Sequence, residues 1–137
     1  MTALLLAVFL SADLSAVRNE PNPERRYELA LARADMALTA ARDAYSADNL
    51  DKTREALQEV SESTELAYEA LTASGKDPRK NPKHFKRAEL SVRQLLRRLD
   101  GLHDVMSAAD RALVASVRER ASQVHDALIQ GIMGKKR

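Results

Sequence analysis

Twice in this chain an asparagine stands directly before a proline at the head of a long stretch of helical apolar spacing, at Asn22-Pro23 and Asn81-Pro82. An asparagine side chain can accept from the first free N–H groups of a helix. A proline fits the first turn, where its missing N–H costs nothing. Between these starts lies Gly75-Lys76-Asp77-Pro78-Arg79-Lys80-Asn81-Pro82-Lys83. Gly75 suits the left-handed position after a helix, and Pro78 disfavours helix at Asp77. Chain punctuated in this way divides into two helical segments of similar length.

Each segment divides again. From Pro23 to about Ala47, Tyr27, Leu31, Ala34, Leu38, Ala41 and Tyr45 keep alternating four-and-three spacing, which puts them on one stripe of a helix. Asp48 or Asn49 can cap a second helix, whose stripe is Leu50, Thr53, Leu57, Val60, Thr64, Ala67 and Leu71. From Pro82 to about Met106 the stripe is Phe85, Ala88, Val92, Leu95, Leu99, Leu102 and Met106, widened by Leu96. Ser107 and Asp110 match a serine cap with an acidic residue three later. Val114, Val117, Ala121, Val124 and Leu128 form the last stripe, beside Leu113 and Ile132.

With 137 residues one domain is expected, and 45% hydrophobic residues are enough to build its core. Aromatics at 4% and the absence of Trp argue against a sandwich or barrel. The spacing and the short turns predict an all-α fold, an antiparallel four-helix bundle made of two helical hairpins over residues 23–132. A tetratricopeptide-like pair is the alternative, on the turn Tyr45-Ser46-Ala47-Asp48-Asn49-Leu50. No period near 34 residues accompanies it. Leu29 and Met36 lie nearly opposite the first stripe and read as scattered surface apolars, with a wider core or a homodimer contact as the alternatives.

Ala3 to Leu10 is an unbroken apolar run followed by small and polar residues. That pattern resembles a secretory signal peptide over residues 1–16, cleaved after Ala12 or Ala16, and is too short to span a bilayer. No Lys or Arg precedes it. Residues 17–22 read as a polar linker and 133–137 as a basic tail. The expectation is an exported protein of the periplasm or exterior.

The net charge of +2 hides an asymmetry. Residues 1–75 carry seven Lys or Arg against thirteen Asp or Glu, and residues 76–137 carry fifteen against seven. Lys76, Arg79, Lys80, Lys83, Lys86 and Arg87 cluster at the central turn, and Arg97 and Arg98 continue along the third helix. One reading makes this an anion- or partner-binding face. The other neutralises it internally, with Glu55, Glu59 or Glu62 of the first hairpin beside the arginines.

Signals for chemistry are weak. Asp100 and His103 form an acid-x-x-His pair, half of a di-iron bundle site, but no seam supplies inward glutamates for the other half. His84 reads as exposed in a first turn. His125 with the methionines invites a haem, yet the Cys-x-x-Cys-His attachment is impossible without Cys. No nucleophile motif and no glycine-rich phosphate loop is present. The reading expects no enzyme, no cofactor and no metal.

Lys76 through Leu90, together with Leu95-Leu96-Arg97-Arg98-Leu99-Asp100, resembles uncharacterised bacterial exported helical proteins. The resemblance covers about a sixth of the chain. It implies export and a bundle, and carries over no functional residues. The expectation is a non-enzymatic bundle of the cell envelope that binds an anionic or protein partner through a basic face. Against it stands a cytoplasmic nucleic-acid-binding protein or a tetratricopeptide-like adaptor, nucleic acid being disfavoured by export.

Overall fold

The computed structural model describes residues 14–134. Among these all regular structure is helical, with α1 at Pro23–Ser46, α2 at Leu50–Ala73, α3 at Lys83–Val105 and α4 at Arg111–Met133. The apolar run and most of the expected signal peptide lie outside the described residues, as does the tail beyond Gly134. Residues 14–18 are also helical, and Leu14 and Val17 are buried against Tyr27, Leu66 and Ala70. The chain therefore joins the core at Val17, where a polar linker was expected.

The four stripes account for most of the core. Every expected seam residue of α3 and α4 is buried, and Met106 with them. On α1 and α2 the buried face is wider than expected. Ala30, Ala37, Ala56 and Ala70 join it, as do Arg33, Ser61 and Ser63. Small side chains let two helix axes approach closely, and α1 and α2 are the most intimately packed pair. Leu29 packs against this wider core, while Met36 stays 55% exposed. Two buried hydroxyls are satisfied by backbone carbonyls one turn back: Thr53 donates to the Asn49 carbonyl and Thr64 to that of Val60, each at 2.7 Å, while the buried Ser63 hydroxyl has no hydrogen-bond partner among the described residues.

Two helix starts that look alike in sequence differ. Asn22 Oδ1 accepts from the N–H of Glu24 at 2.9 Å and of Arg25 at 3.4 Å, so it caps α1. Asn81 caps nothing. Its own N–H is turned back to the Asp77 carbonyl at 2.8 Å, and Pro82 occupies the cap position without a side-chain bond. Asn22→Ala should thus cost about 1 kcal/mol. Asn81→Ala should change stability by less than about 0.5 kcal/mol. Urea unfolding of both variants checks the contrast.

The turns follow local rules with one exception. Gly75 takes φ 74°, the left-handed region that ends α2, and Asp48 takes φ 59° between α1 and α2, a conformation its short polar side chain tolerates. Ser107 is not the cap of α4, which begins only at Arg111. Its hydroxyl donates to Asp110 Oδ2 at 2.9 Å, and the Tyr45 hydroxyl donates to the same oxygen at 2.9 Å. Tyr45 also accepts from the Ser107 N–H at 3.0 Å, which ties the end of α1 to the end of α3.

Neighbour relations decide what the charged residues meet. α1 packs on α2 and α3 on α4, α1 also lies beside α3, and α2 beside α4, while α2 and α3 barely meet. Contacts link the starts of α1 and α3, at Tyr27 and His84, and their ends, at Tyr45 and Ser107. These two helices run the same way.

Candidate binding surface

The expected basic residues divide into two sets because α3 lies beside α1. Glu24, Glu28 and Asp35 line the side of α1 that faces α3. Lys76 is ion-paired to Glu24 and Arg98 to Asp35, and Arg87 approaches Glu28 at 3.7 Å. Arg98 also donates to the Thr39 hydroxyl at 2.8 Å. Of the two readings of Arg98, an open binding face or neutralisation by the first hairpin, the second describes it: Arg98 is a link between α3 and α1. The acidic partners come from α1, not from Glu55, Glu59 or Glu62 of α2.

The second set has no such partners. The side chains of Arg79, Lys80, Lys83, Lys86 and Arg97 are exposed and make no ion pair among the described residues. Lys83, Lys86 and Arg97 form one outward stripe of α3 with Leu90, which is 47% exposed. Arg79 lies apart, its side chain crossing the end of α4 at Gly134. The first turn of α3 holds no acidic residue, so its helix dipole adds to the positive field there.

Two polar clusters lie deeper. The Tyr27 hydroxyl and His84 Nδ1 are 2.9 Å apart, and His84 Nε2 stands 3.4 Å from Glu24. With His84 neutral, the hydroxyl donates to Nδ1 and Nε2–H faces the carboxylate. Burial pushes the Tyr27 hydroxyl above its usual pKa, so it remains a donor. The hydrogen bond from Lys76 holds the Glu24 carboxyl below the ordinary carboxylate range. His84 is thus half-buried and engaged, where exposure was expected. Beside it a cavity of about 280 Å³ is lined by Lys76, Asn81, Lys83 and Phe85.

The other cluster joins α3 to α4. Glu89 is 7% exposed. Its carboxylate accepts from Arg93 Nε at 2.9 Å and Nη2 at 2.8 Å, and lies 2.7 Å from His125 Nε2. Arg93 first, then His125, lowers the Glu89 pKa against the opposing effect of burial. Glu89 escaped the sequence reading, although Glu89 and Arg93 are four apart, a spacing at which opposite charges meet on a helix.

Asp100 and His103 do not act together, since Asp100 binds Arg118 and His103 lies 3.7 Å from Asp104. No group of three or more His, Asp or Glu among the described residues could hold a metal ion. No helix among them is long and apolar enough to cross a membrane. Between α1 and α3 a groove of about 440 Å³ has Leu31, Ala34 and Leu95 along it, with Glu28 and Arg87 at its edge. Comparison of the chain with protein-family models and with curated proteins returns no match.

Proposed function

We propose that the protein is an exported, non-enzymatic helical bundle of two hairpins that binds an acidic partner through the outer face of α3. One observation carries the reading. Lys80, Lys83, Lys86 and Arg97 remain exposed without ion pairs while neighbouring cations are matched to α1. Unpaired cations along one helix raise the local concentration of anions and speed their encounter. Leu90, within the stripe, offers apolar contact. Replacing Lys80, Lys83, Lys86 and Arg97 by Gln should leave the fold intact and abolish salt-sensitive binding to anionic vesicles or polyglutamate. Wild-type protein that binds neither at low salt contradicts the reading.

Export rests on the run Ala3 to Leu10. Leu14 packs in the core, so cleavage after Ala12 leaves that core whole and cleavage after Ala16 removes part of it. N-terminal sequencing of protein from its own host should therefore begin at Asp13. An intact Met1 or Thr2 in soluble cytoplasmic protein would contradict export.

The like-running neighbours α1 and α3 favour one second reading, an adaptor built of stacked hairpins. Such stacks bind along extended surfaces. For that reading the groove between α1 and α3 is the place to test, by Leu31→Glu, which should cut partner binding while the α3 cations stay in place.

A further inference from the structure

α2 and α3 present outward stripes of opposite sign and equal pitch. On α2, Glu55, Glu62 and Glu69 recur every seven residues, and Lys83, Leu90 and Arg97 do the same on α3. Seven residues are two helical turns, so each set keeps to one side of its helix over about 21 Å. Glu55 and Glu69 are exposed and Glu62 is half-exposed. None of the three is ion-paired among the described residues, although Gln58 donates to Glu62 at 3.1 Å. Other acids of α2 are engaged: Glu59 with Arg33, and Glu65 with Arg120 at 2.6 Å.

The two stripes cannot meet within one molecule. α2 and α3 are the diagonal pair, each separated from the other by the core, and their outer faces look in opposite directions. Resting on the reading of the α3 face as a binding surface, we infer that the acidic partner is the α2 face of a second copy of this chain. Lys83 and Arg97 are fourteen residues apart, as are Glu55 and Glu69, with Lys86 and Glu62 between them. The end charges therefore come into register together. Because the two faces differ, the contact is head-to-tail rather than two-fold, and each added copy exposes a fresh α2 face and a fresh α3 face. Exposed ion pairs are weak and screened, so assembly is reversible and confined to low salt.

Sedimentation velocity over a concentration series tests this. Wild-type protein should form species larger than a dimer at about 20 mM salt, with association weakening by roughly tenfold or more at about 500 mM. One variant carries Lys83→Gln, Lys86→Gln and Arg97→Gln, the other Glu55→Gln, Glu62→Gln and Glu69→Gln. Each alone should stay monomeric at low salt, because each lacks one face. Mixed in equal amounts they should form a dimer and stop there, since the first supplies only the acidic face and the second only the basic one. Wild-type protein that stays monomeric at low salt overturns the inference, as does a mixture of the variants that does not pair. Polyglutamate binding, measured alongside, separates the two ideas. If it persists without self-association, the binding face stands and its partner is another molecule. If both are absent, the reading of the face fails as well.

Discussion

Leu99→Ala is expected to lower the free energy of unfolding by about 2–5 kcal/mol. Leu99 is fully buried in the C-terminal half of α3. It shares the core cluster at the α1–α2 turn end with Leu38 of α1, Leu57 of α2 and Val114 of α4. Truncation removes its apolar area and leaves a space within a core cluster to which all four helices contribute. A loss of this size is a large share of a typical domain's stability. Urea unfolding monitored by circular dichroism gives the value. A midpoint equal to that of the wild type would show that the buried face of α3 is not where Leu99 lies.

Glu89→Gln should cost about 1.5–3 kcal/mol at neutral pH, the range of hydrogen bonds to charged groups. The amide keeps one acceptor oxygen but turns an NH₂ toward Arg93 and His125. Arg93 is about half exposed, at 48% of its side chain, and can turn to water. The cost therefore stays below that of breaking a fully buried pair. The variant also changes the acid limb. A carboxyl whose folded pKa lies below its unfolded value stabilises fully above the unfolded value, about 4.3. That contribution is lost as pH falls through the folded value. Glu89 is such a group, so the gap between wild type and variant should close below about pH 4. Glu24 has the same direction of shift and remains in the variant. A gap that stays constant from pH 7 to pH 3 would contradict the assignment.

How far the sequence could be read depended on side-chain size. On α3 and α4, large apolar residues face charged ones across the helix, and their stripes were recovered without error. α1 and α2 are rich in alanine and serine, which carry little sign of which way they face. Ala30, Ala37, Ser61 and Ser63 were therefore missed as core, and Leu50, placed on the seam, is 38% exposed. The asparagine caps show another limit. Asn22 and Asn81 precede proline alike, but the turn Asp77–Asn81 competes for the second one.

Charge pairing was the least legible part. Which arginines of α3 are free depends on which helix lies beside it. The reading that neutralises these cations internally names glutamates of α2 in the first hairpin as partners. The packing puts α1 beside α3, and Arg87 and Arg98 meet Glu28 and Asp35. Lys83 and Arg97, on the outer side of the same helix, make no ion pair among the described residues, although the Lys83 charge is felt by Glu24. No local pattern separates Arg97 from Arg98. One helical step of about 100° does.

That division suggests the most direct measurement. Two variants neutralise different cations of the same region, one with Lys83→Gln, Lys86→Gln and Arg97→Gln, the other with Lys76→Gln, Arg87→Gln and Arg98→Gln. Each loses three positive charges, so a general effect of net charge is equal in both. Binding to polyglutamate at about 20 mM salt, where screening is weak, should be lost in the first and largely kept in the second. Equal loss of binding in the two variants would contradict the claim that the unpaired outer face of α3 is the binding surface.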